Sequence, residues 1–163
     1  MPWSIGASTA LRIGWDKLFF FGFTPTMTTL FSLAHWCVLV AALLPIVCAG
    51  IAKSGAIGRS RRDGGYDNGD PRAWLAVQSG WRARANAAQA NSFEALPFFI
   101  GAVVIAQQLS APQSRIDALA LIFVGLRLAY IVSYVGGWAS VRSVLWVLAL
   151  AVNIAILMLG WRV

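Results

Sequence analysis

The chain has 163 residues, of which 59% are hydrophobic and 12% are charged, whereas soluble domains have about 25% charged residues. A domain of this size keeps a large fraction of its surface exposed, so it cannot hide so much apolar surface from water. A soluble globular fold is therefore excluded, and we expect lipid around the chain. The net charge of +7 could suit nucleic acid, but the basic residues lie between apolar runs and form no basic stripe, which argues against that partner.

Residues 1–26 precede the first long apolar stretch. They contain only a short one, Leu18–Phe23, which is too short to cross a bilayer. An interfacial segment fits this pattern, as does an extension upstream of a start at Met27, while a signal peptide lacks a convincing cleavage site. We expect residues 27–163 to form the transmembrane domain.

Four later stretches are long and apolar enough to cross a bilayer as helices, because about 20 helical residues span the hydrocarbon core. Each is bounded by charged residues, Gly or Pro, and no alternating strand pattern competes with them. The sequence therefore predicts an all-α membrane protein, a four-transmembrane-helix bundle. The predicted spans are residues 30–52, 87–109, 114–135 and 141–161.

The one substantial loop, residues 53–70, separates the first two spans. It reads KSGAIGRSRRDGGYDNGD and has no hydrophobic face to bury. Asp70 and Pro71 follow one another at its end. Because Asp caps helices and Pro fits the first helical turn, this pair predicts that the helix of the second span begins there, outside the membrane.

The charges of the loops predict how the chain is oriented, because short loops rich in Lys and Arg stay on the cytoplasmic side. One side carries eight such residues and the other carries four, so both termini are expected in the periplasm. A bacterial inner membrane is the preferred location, with an organelle membrane left open. The eight are Lys53, Arg59, Arg61, Arg62, Arg72, Arg82, Arg84 and Arg142, and the four are Arg12, Lys17, Arg115 and Arg162.

The ionisable and polar residues within the spans are few and grouped. Arg84, Asn91 and Glu94 lie close to one stripe of the second helix. Charged groups at membrane depth are costly and normally face a bundle interior, a partner or water. This stripe is therefore a candidate lining for an interhelical site.

A second group lies on the third span. Arg127, Tyr130 and Tyr134 occupy positions i, i+3 and i+7, the spacing of a single helical face. Arg142 begins the fourth span. If the second, third and fourth helices enclose a cleft, that cleft is cationic and contains tyrosine hydroxyls and one carboxylate.

Such a cleft suits a small anionic ligand with amide groups, because guanidinium groups bind carboxylates in a bidentate way. Glutathione is such a ligand, and an Arg beside its thiol would favour the nucleophilic thiolate. From spacing alone a plainer alternative stays open. Glu94 and Arg127 could simply pair between helices, while the tyrosines pack at an interface.

Two blocks of the sequence resemble the MAPEG family, the membrane-associated proteins in eicosanoid and glutathione metabolism. They are RARANAAQANSFEALPFF, residues 82–99, and RLAYIVSYVGGWASVRSVLW, residues 127–146, and the likeness extends over residues 30–161. The resemblance implies four-helix subunits in a homotrimer, with glutathione bound between subunits near the cytoplasmic side. It also implies glutathione conjugation to lipophilic electrophiles or reduction of lipid hydroperoxides.

The resemblance assigns glutathione-binding roles on the second helix. Asn91 and Glu94 match the family's Asn-x-x-Glu, which contacts the glutathione backbone and its amino group. Arg84 matches the first Arg of the preceding Arg-x-x-Arg-Ala pattern. Ala87 stands where that pattern has its second Arg, which usually holds a glutathione carboxylate.

The remaining roles fall on the third and fourth helices. Arg127 matches the family's third-helix arginine and joins the glutathione-binding set. Tyr130 and Tyr134 match the tyrosines that line the same cleft, and Arg142 resembles the arginine that stabilises the thiolate. By resemblance, these last three are the candidate catalytic residues.

Two other functions stay open. Four spans with a lone intramembrane Glu also describe small proton-coupled multidrug exporters, although a cleft with several arginines would repel a cationic drug. A MAPEG-like protein that has lost catalysis is the other, since Ala87 replaces a ligand-binding arginine. We expect no metal site, because His35 is the only His and no ligand pattern surrounds it.

Overall fold

The computed structural model describes residues 31–161, and all the regular structure in that range is helical. The segment 1–26 and the candidate start at Met27 lie outside the described residues. Four long helices correspond to the four predicted spans, and each is long and apolar enough to cross a membrane. The helices are α1 (Leu33–Lys53), α2 (Pro71–Ala76), α3 (Gly80–Gln108), α4 (Gln113–Gly136) and α5 (Ala139–Met158).

Contacts between helix ends show that the long helices run alternately up and down. The backbone N–H of Ala34, at the start of α1, donates to Oδ1 of Asp117, at the start of α4, over 2.8 Å. Arg84, near the start of α3, bonds to the carbonyl of Val135, at the end of α4. The long loop and the α4–α5 turn therefore lie at the same end of the bundle, which is the end that carries the larger positive charge.

Small side chains hold the bundle together. Alanines are fully buried where α1, α3 and α4 meet, and they let the helix backbones approach closely, as in other membrane bundles. Phe99 and Phe123 fill the centre, with ring centroids 4.1 Å apart in a stacked arrangement. Large apolar side chains such as Val132 and Val147 point outward instead. This distribution is the one expected for a bundle surrounded by lipid.

The helix of the second span begins later than the sequence predicted. Asp70 does act as a cap, accepting a hydrogen bond from the N–H of Ala73, with Pro71 in the first turn. The capped helix is α2, however, which is only six residues long. The chain then leaves helical geometry, and α3 begins at Gly80 with a positive φ of 62°. The prediction was wrong here because capping signals locate a helix start but do not reveal how far that helix extends.

A tight turn brings α5 close to the end of α4. Gly137 closes α4 in the left-handed conformation, with φ of 82°, and the N–H of Trp138 donates to the carbonyl of Ser133. Glycine adopts this conformation without the steric cost that a Cβ would add. Because α5 starts only two residues later, Arg142 lies within one turn of the helix start and faces the last two turns of α4.

Candidate functional site

A hydrogen-bonded cluster joins α3 to α4 through three of the predicted residues. Nη1 of Arg127 donates to Oδ1 of Asn91 over 3.0 Å, and Nδ2 of Asn91 donates to Oε2 of Glu94 over 3.2 Å. Nη2 of Arg127 donates to the hydroxyl of Ser92 over 3.2 Å. The amide of Asn91 therefore connects the guanidinium to the carboxylate, and Arg127 and Glu94 do not pair directly.

Arg127 is a buried cation without a paired anion in the part of the chain that is described. Its exposure is 2%, and the ion pair found among residues 31–161 is Arg61 with Asp67, in the long loop. Removing a charge from water is expensive unless a partner and further hydrogen bonds compensate it. Neutral groups supply its direct hydrogen bonds, and Glu94 is linked to it only through Asn91, so its charge is not fully neutralised by a directly paired anion. The remaining positive charge favours an anionic ligand.

The two predicted tyrosines connect this cluster to Arg142. The guanidinium carbon of Arg127 lies 4.5 Å from the ring centroid of Tyr130, which is buried. Tyr130 and Tyr134 meet edge to face with centroids 5.5 Å apart. Arg142 stacks on the other tyrosine, with its guanidinium carbon 4.3 Å from the Tyr134 centroid. Cation–π contacts of this kind orient both the cation and the ring.

Six of the seven predicted residues thus form one continuous chain of contacts from α3 across α4 to α5. Its members, in order, are Glu94, Asn91, Arg127, Tyr130, Tyr134 and Arg142.

Arg84 is not part of this chain of contacts. Its Nε donates to the carbonyl of Val135 over 2.9 Å, and its guanidinium lies against Gly137. It therefore satisfies a carbonyl at the end of α4, where helices leave such groups without partners. In this position it fastens the start of α3 to the α4–α5 turn, which holds Arg142. Its predicted contact with glutathione stays a proposal.

Two cavities open beside the chain of contacts. The first, of about 140 Å³, has a polar part formed by Asn91, Glu94 and Arg127 and an apolar part between α3, α4 and α5. The second, of about 170 Å³, is lined by Tyr130, Arg142, Ser143, Trp146 and Val147. Trp146 contributes to both, so the two cavities are neighbours. A polar molecule and an apolar molecule could therefore bind side by side.

Some residues of the site were not predicted. Ser92 bonds to Arg127 and also donates to the carbonyl of Ala88, one turn earlier. A buried hydroxyl in the turn that carries Asn91 and Glu94 was the available signal. Trp146 lines both cavities and was not among the predicted site residues. Helical periodicity does not show which neighbour a tryptophan faces.

Two further polar residues lie outside the chain of contacts. Nδ1 of His35 lies 3.0 Å from the N–H and 2.7 Å from the hydroxyl of Ser32, so His35 helps to cap α1. Asn153 is buried on α5, and among the described residues its Oδ1 has no hydrogen-bond partner. Asn153 is one of the residues that line the first cavity.

These observations define a class of protein: a bundle of four membrane-length helices with a cationic polar site between three of them. The model of the MAPEG family matches residues 33–161. The chain therefore belongs to the MAPEG family and is an integral, multi-pass membrane protein. No curated protein and no solved structure matches the chain in the corresponding comparisons. The family includes glutathione transferases and peroxidases and also non-catalytic members.

Proposed function

We propose that this protein is a glutathione-dependent membrane enzyme, which conjugates glutathione to lipophilic electrophiles or reduces lipid hydroperoxides. The observation that carries the proposal is the unbroken chain of contacts from Glu94 through Arg127 to Arg142. It places one carboxylate, two guanidiniums and two tyrosines along a single path between the helices. Glutathione carries complementary groups, namely an ammonium, two carboxylates, two amides and a thiol.

The half of the path on α3 would hold the peptide part of glutathione. Glu94 is exposed at the side of α3 and would accept the ammonium group. Arg127 would attract a carboxylate, because its buried charge has no anionic partner among the described residues. Asn91, which already bridges the two, would exchange hydrogen bonds with an amide. Arg84 could bind the second carboxylate through its terminal nitrogens while its Nε stays on Val135.

The half of the path on α4 and α5 would supply the chemistry. Arg142 is held on the Tyr134 ring, and its positive charge would stabilise the thiolate. In conjugation, the thiolate sulfur forms a bond to the electrophilic carbon, and the leaving group departs with the electron pair. A tyrosine hydroxyl would donate a hydrogen bond to the developing charge. In peroxide reduction, the thiolate sulfur attacks the distal oxygen of the hydroperoxide, the O–O bond breaks, and the alkoxide takes a proton from a tyrosine hydroxyl or water to leave as the alcohol. A second glutathione would then attack the sulfenic acid, giving the disulfide and releasing water.

The membrane would bring the second substrate. A lipophilic molecule partitions into the bilayer and could approach between helices, while glutathione arrives from the aqueous side. Holding both reactants in one site makes their reaction effectively unimolecular.

We further propose that the subunit forms a homotrimer and that the strongly basic end faces the cytoplasm of a bacterium, with both termini in the periplasm. The positive charge at that end supports this orientation.

The decisive experiment measures equilibrium binding of glutathione to the detergent-purified protein. We expect saturable binding that weakens about tenfold in Glu94→Gln, because the amide keeps a polar group near Asn91 but no longer attracts an ammonium. Arg115→Gln, at the opposite end of the bundle, is the matched control and should bind as the wild type does. An absence of saturable binding at millimolar glutathione, combined with drug-driven proton movement in liposomes, would refute the proposal in favour of an exporter.

Restoring the arginine of the family pattern provides a gain-of-function test. Ala87 is partly exposed and lies one helical turn before Asn91 on α3. An Arg at this position would reach the same stripe and could bind a glutathione carboxylate. We expect Ala87→Arg to tighten glutathione binding about tenfold, as charge-assisted hydrogen bonds typically allow. Titration calorimetry would measure the change.

The matched control for this variant is Ala90→Arg, which adds the same charge to an exposed position of α3 three residues further on. A tightening that was equal in both variants would show a general effect of charge and would contradict a specific carboxylate site at position 87.

A further inference from the structure

The long loop and α2 fold together at the basic end of the bundle. The N–H of Tyr66 donates to the carbonyl of Ala56 over 2.9 Å. Nζ of Lys53 lies 4.5 Å from the centroid of the Tyr66 ring, and the edge of Trp74 packs on the same ring with centroids 5.2 Å apart. Lys53 ends α1 and Trp74 belongs to α2. This one ring therefore holds the loop and α2 against the end of α1.

Three arginines on this part of the chain are exposed and form no ion pair among residues 31–161. They are Arg59, Arg62 and Arg72. Arg61, in the same turn as the first two, is paired with Asp67 over 2.6 Å, and its Nη2 also lies close to Gly69, just before α2. The turn is therefore beside the segment that leads into α2. One exposed acid, Asp63, offsets only part of the charge.

Large apolar side chains are exposed in the same part of the chain. Ile57, shortly after the end of α1, is 68% exposed, and Val77, directly after α2, is 79% exposed. Trp81, in the first turn of α3, is 38% exposed. Exposed apolar side chains that lie together indicate contact with a membrane or a partner. Their combination with arginines is typical of segments that lie in the membrane interface.

Arg82 brings the ends of α1 and α3 together. Its Nη2 donates to the carbonyl of Ser54 over 3.2 Å, and its guanidinium carbon lies 4.7 Å from the centroid of the Trp81 ring. The exposed side chain of Ile57 therefore lies near Trp81, at the level where the spanning helices end. Headgroups replace acyl chains at this level, and anionic headgroups attract basic residues close to a span.

We propose that the long loop and α2 form a surface that binds anionic phospholipids of the adjacent leaflet. Arg59, Arg62 and Arg72 contact the phosphate groups, while Ile57 and Val77 insert among the headgroups and the upper acyl chains. A soluble anion would satisfy the arginines but would leave the apolar side chains in water, so the surface fits a lipid better. The inference does not rest on the proposed function, because none of these residues belongs to the chain of contacts.

The first test compares phosphatidylglycerol with phosphatidylcholine, both with dioleoyl chains, so that only the headgroup differs. Native mass spectrometry measures the affinity of each lipid for the detergent-purified protein. We expect the wild type to prefer phosphatidylglycerol. Each single variant should weaken phosphatidylglycerol binding about fivefold, the contribution of one arginine near an anionic surface, and should leave phosphatidylcholine binding unchanged. The variants are Arg59→Gln, Arg62→Gln and Arg72→Gln.

The matched control combines Arg61→Gln with Asp67→Asn, which removes an arginine from the same turn and keeps its net charge. This double variant should bind phosphatidylglycerol as the wild type does. Asp63→Asn should tighten that binding, because it removes the exposed acid. If the variant that lacks all three exposed arginines kept the wild-type preference for phosphatidylglycerol, the proposal would be overturned.

A second test locates the apolar side chains relative to the bilayer. A spin label is attached to Ile57→Cys or Val77→Cys in nanodiscs that contain both lipids, and the native Cys37 and Cys48 are buried. We expect each label to collide more often with oxygen, which concentrates in lipid, than with a water-soluble nickel chelate. Val132→Cys, on the exposed side of α4, is the lipid reference. More frequent collisions with nickel at both loop positions would place this surface in water and refute the inference.

Glutathione titration decides whether the surface serves a soluble anion instead. The variant without the three exposed arginines should bind glutathione within about threefold of the wild type, because salt screens exposed charges that lie far from the site. Loss of glutathione affinity with an unchanged lipid preference would assign the arginines to glutathione and overturn the lipid surface. Lipid preference in a protein that binds no glutathione would support the surface while refuting the proposed function.

Discussion

Replacing Arg142 with Ala is expected to lower kcat/KM for glutathione conjugation by about a hundredfold or more while changing glutathione affinity by less than about threefold. The reason is the position of the guanidinium. It lies on the Tyr134 ring at the far end of the chain of contacts from Glu94 and Asn91, which would bind the peptide. We therefore expect Arg142 to stabilise the reacting sulfur and not to bind the peptide part of glutathione. Steady-state kinetics with a lipophilic electrophile, together with equilibrium binding, separate the two quantities.

The thiolate itself provides a second readout for Arg142. The ultraviolet absorbance of the bound thiolate should appear at lower pH in the wild type than in Arg142→Ala, because a nearby cation favours the ionised sulfur. Arg142→Lys keeps the charge but loses the planar stacking on Tyr134, so it should recover part of the activity. If Arg142→Ala bound glutathione weakly and formed the thiolate at the same pH as the wild type, Arg142 would be a binding residue rather than a catalytic one.

Replacing Arg127 with Met is expected to weaken glutathione binding about a hundredfold, by removing the buried positive charge that would attract a carboxylate. The fold should survive, because Arg127 has no paired anion among the described residues that its removal would leave buried and uncompensated. Ser92 keeps its hydrogen bond to Ala88, and Asn91 is partly exposed and keeps Glu94. Glutathione titration and thermal unfolding in the same detergent would measure the two effects.

Arg115→Met is the matched control for the Arg127 variant, since it removes an exposed arginine from the opposite end of the bundle. It should leave glutathione binding and the unfolding temperature near the wild-type values. A large fall in the unfolding temperature of Arg127→Met, with unaltered glutathione affinity in the folded fraction, would show that Arg127 only joins α3 to α4. That was the plainer alternative for this residue.

Arg127 and Glu94 show which features of the site can be predicted from the sequence. Spacing placed each residue on the correct face of its helix, and both interpretations of the pair required them to be close. Spacing could not show that Asn91 would stand between them. That arrangement depends on how α3 and α4 are rotated and offset, and it decides whether the guanidinium is neutralised by protein or left to attract a ligand.

Arg84 makes a contact between distant segments that the sequence does not predict. The family pattern placed it two turns from Asn91 on the same helix, which suggested one shared site. In the folded chain its Nε is used at the end of α4. The carbonyl that binds it is left without a helical partner by the turn at Gly137, and such a contact between distant segments has no signature in either segment alone.

By itself, the amino-acid sequence determined that this protein lies in a membrane, that residues 31–161 contain four helices long and apolar enough to span it, and which end of the bundle carries the larger positive charge. These properties follow from apolar length and charge position, which act locally along the chain. The sequence also placed the arginines, the tyrosines and the glutamate on particular helical faces. Only the tertiary structure decided that α2 and α3 are separate helices and that six side chains on three helices form one chain of contacts. These features depend on the packing of side chains that are far apart in sequence, and periodicity within one helix holds no information about its neighbours.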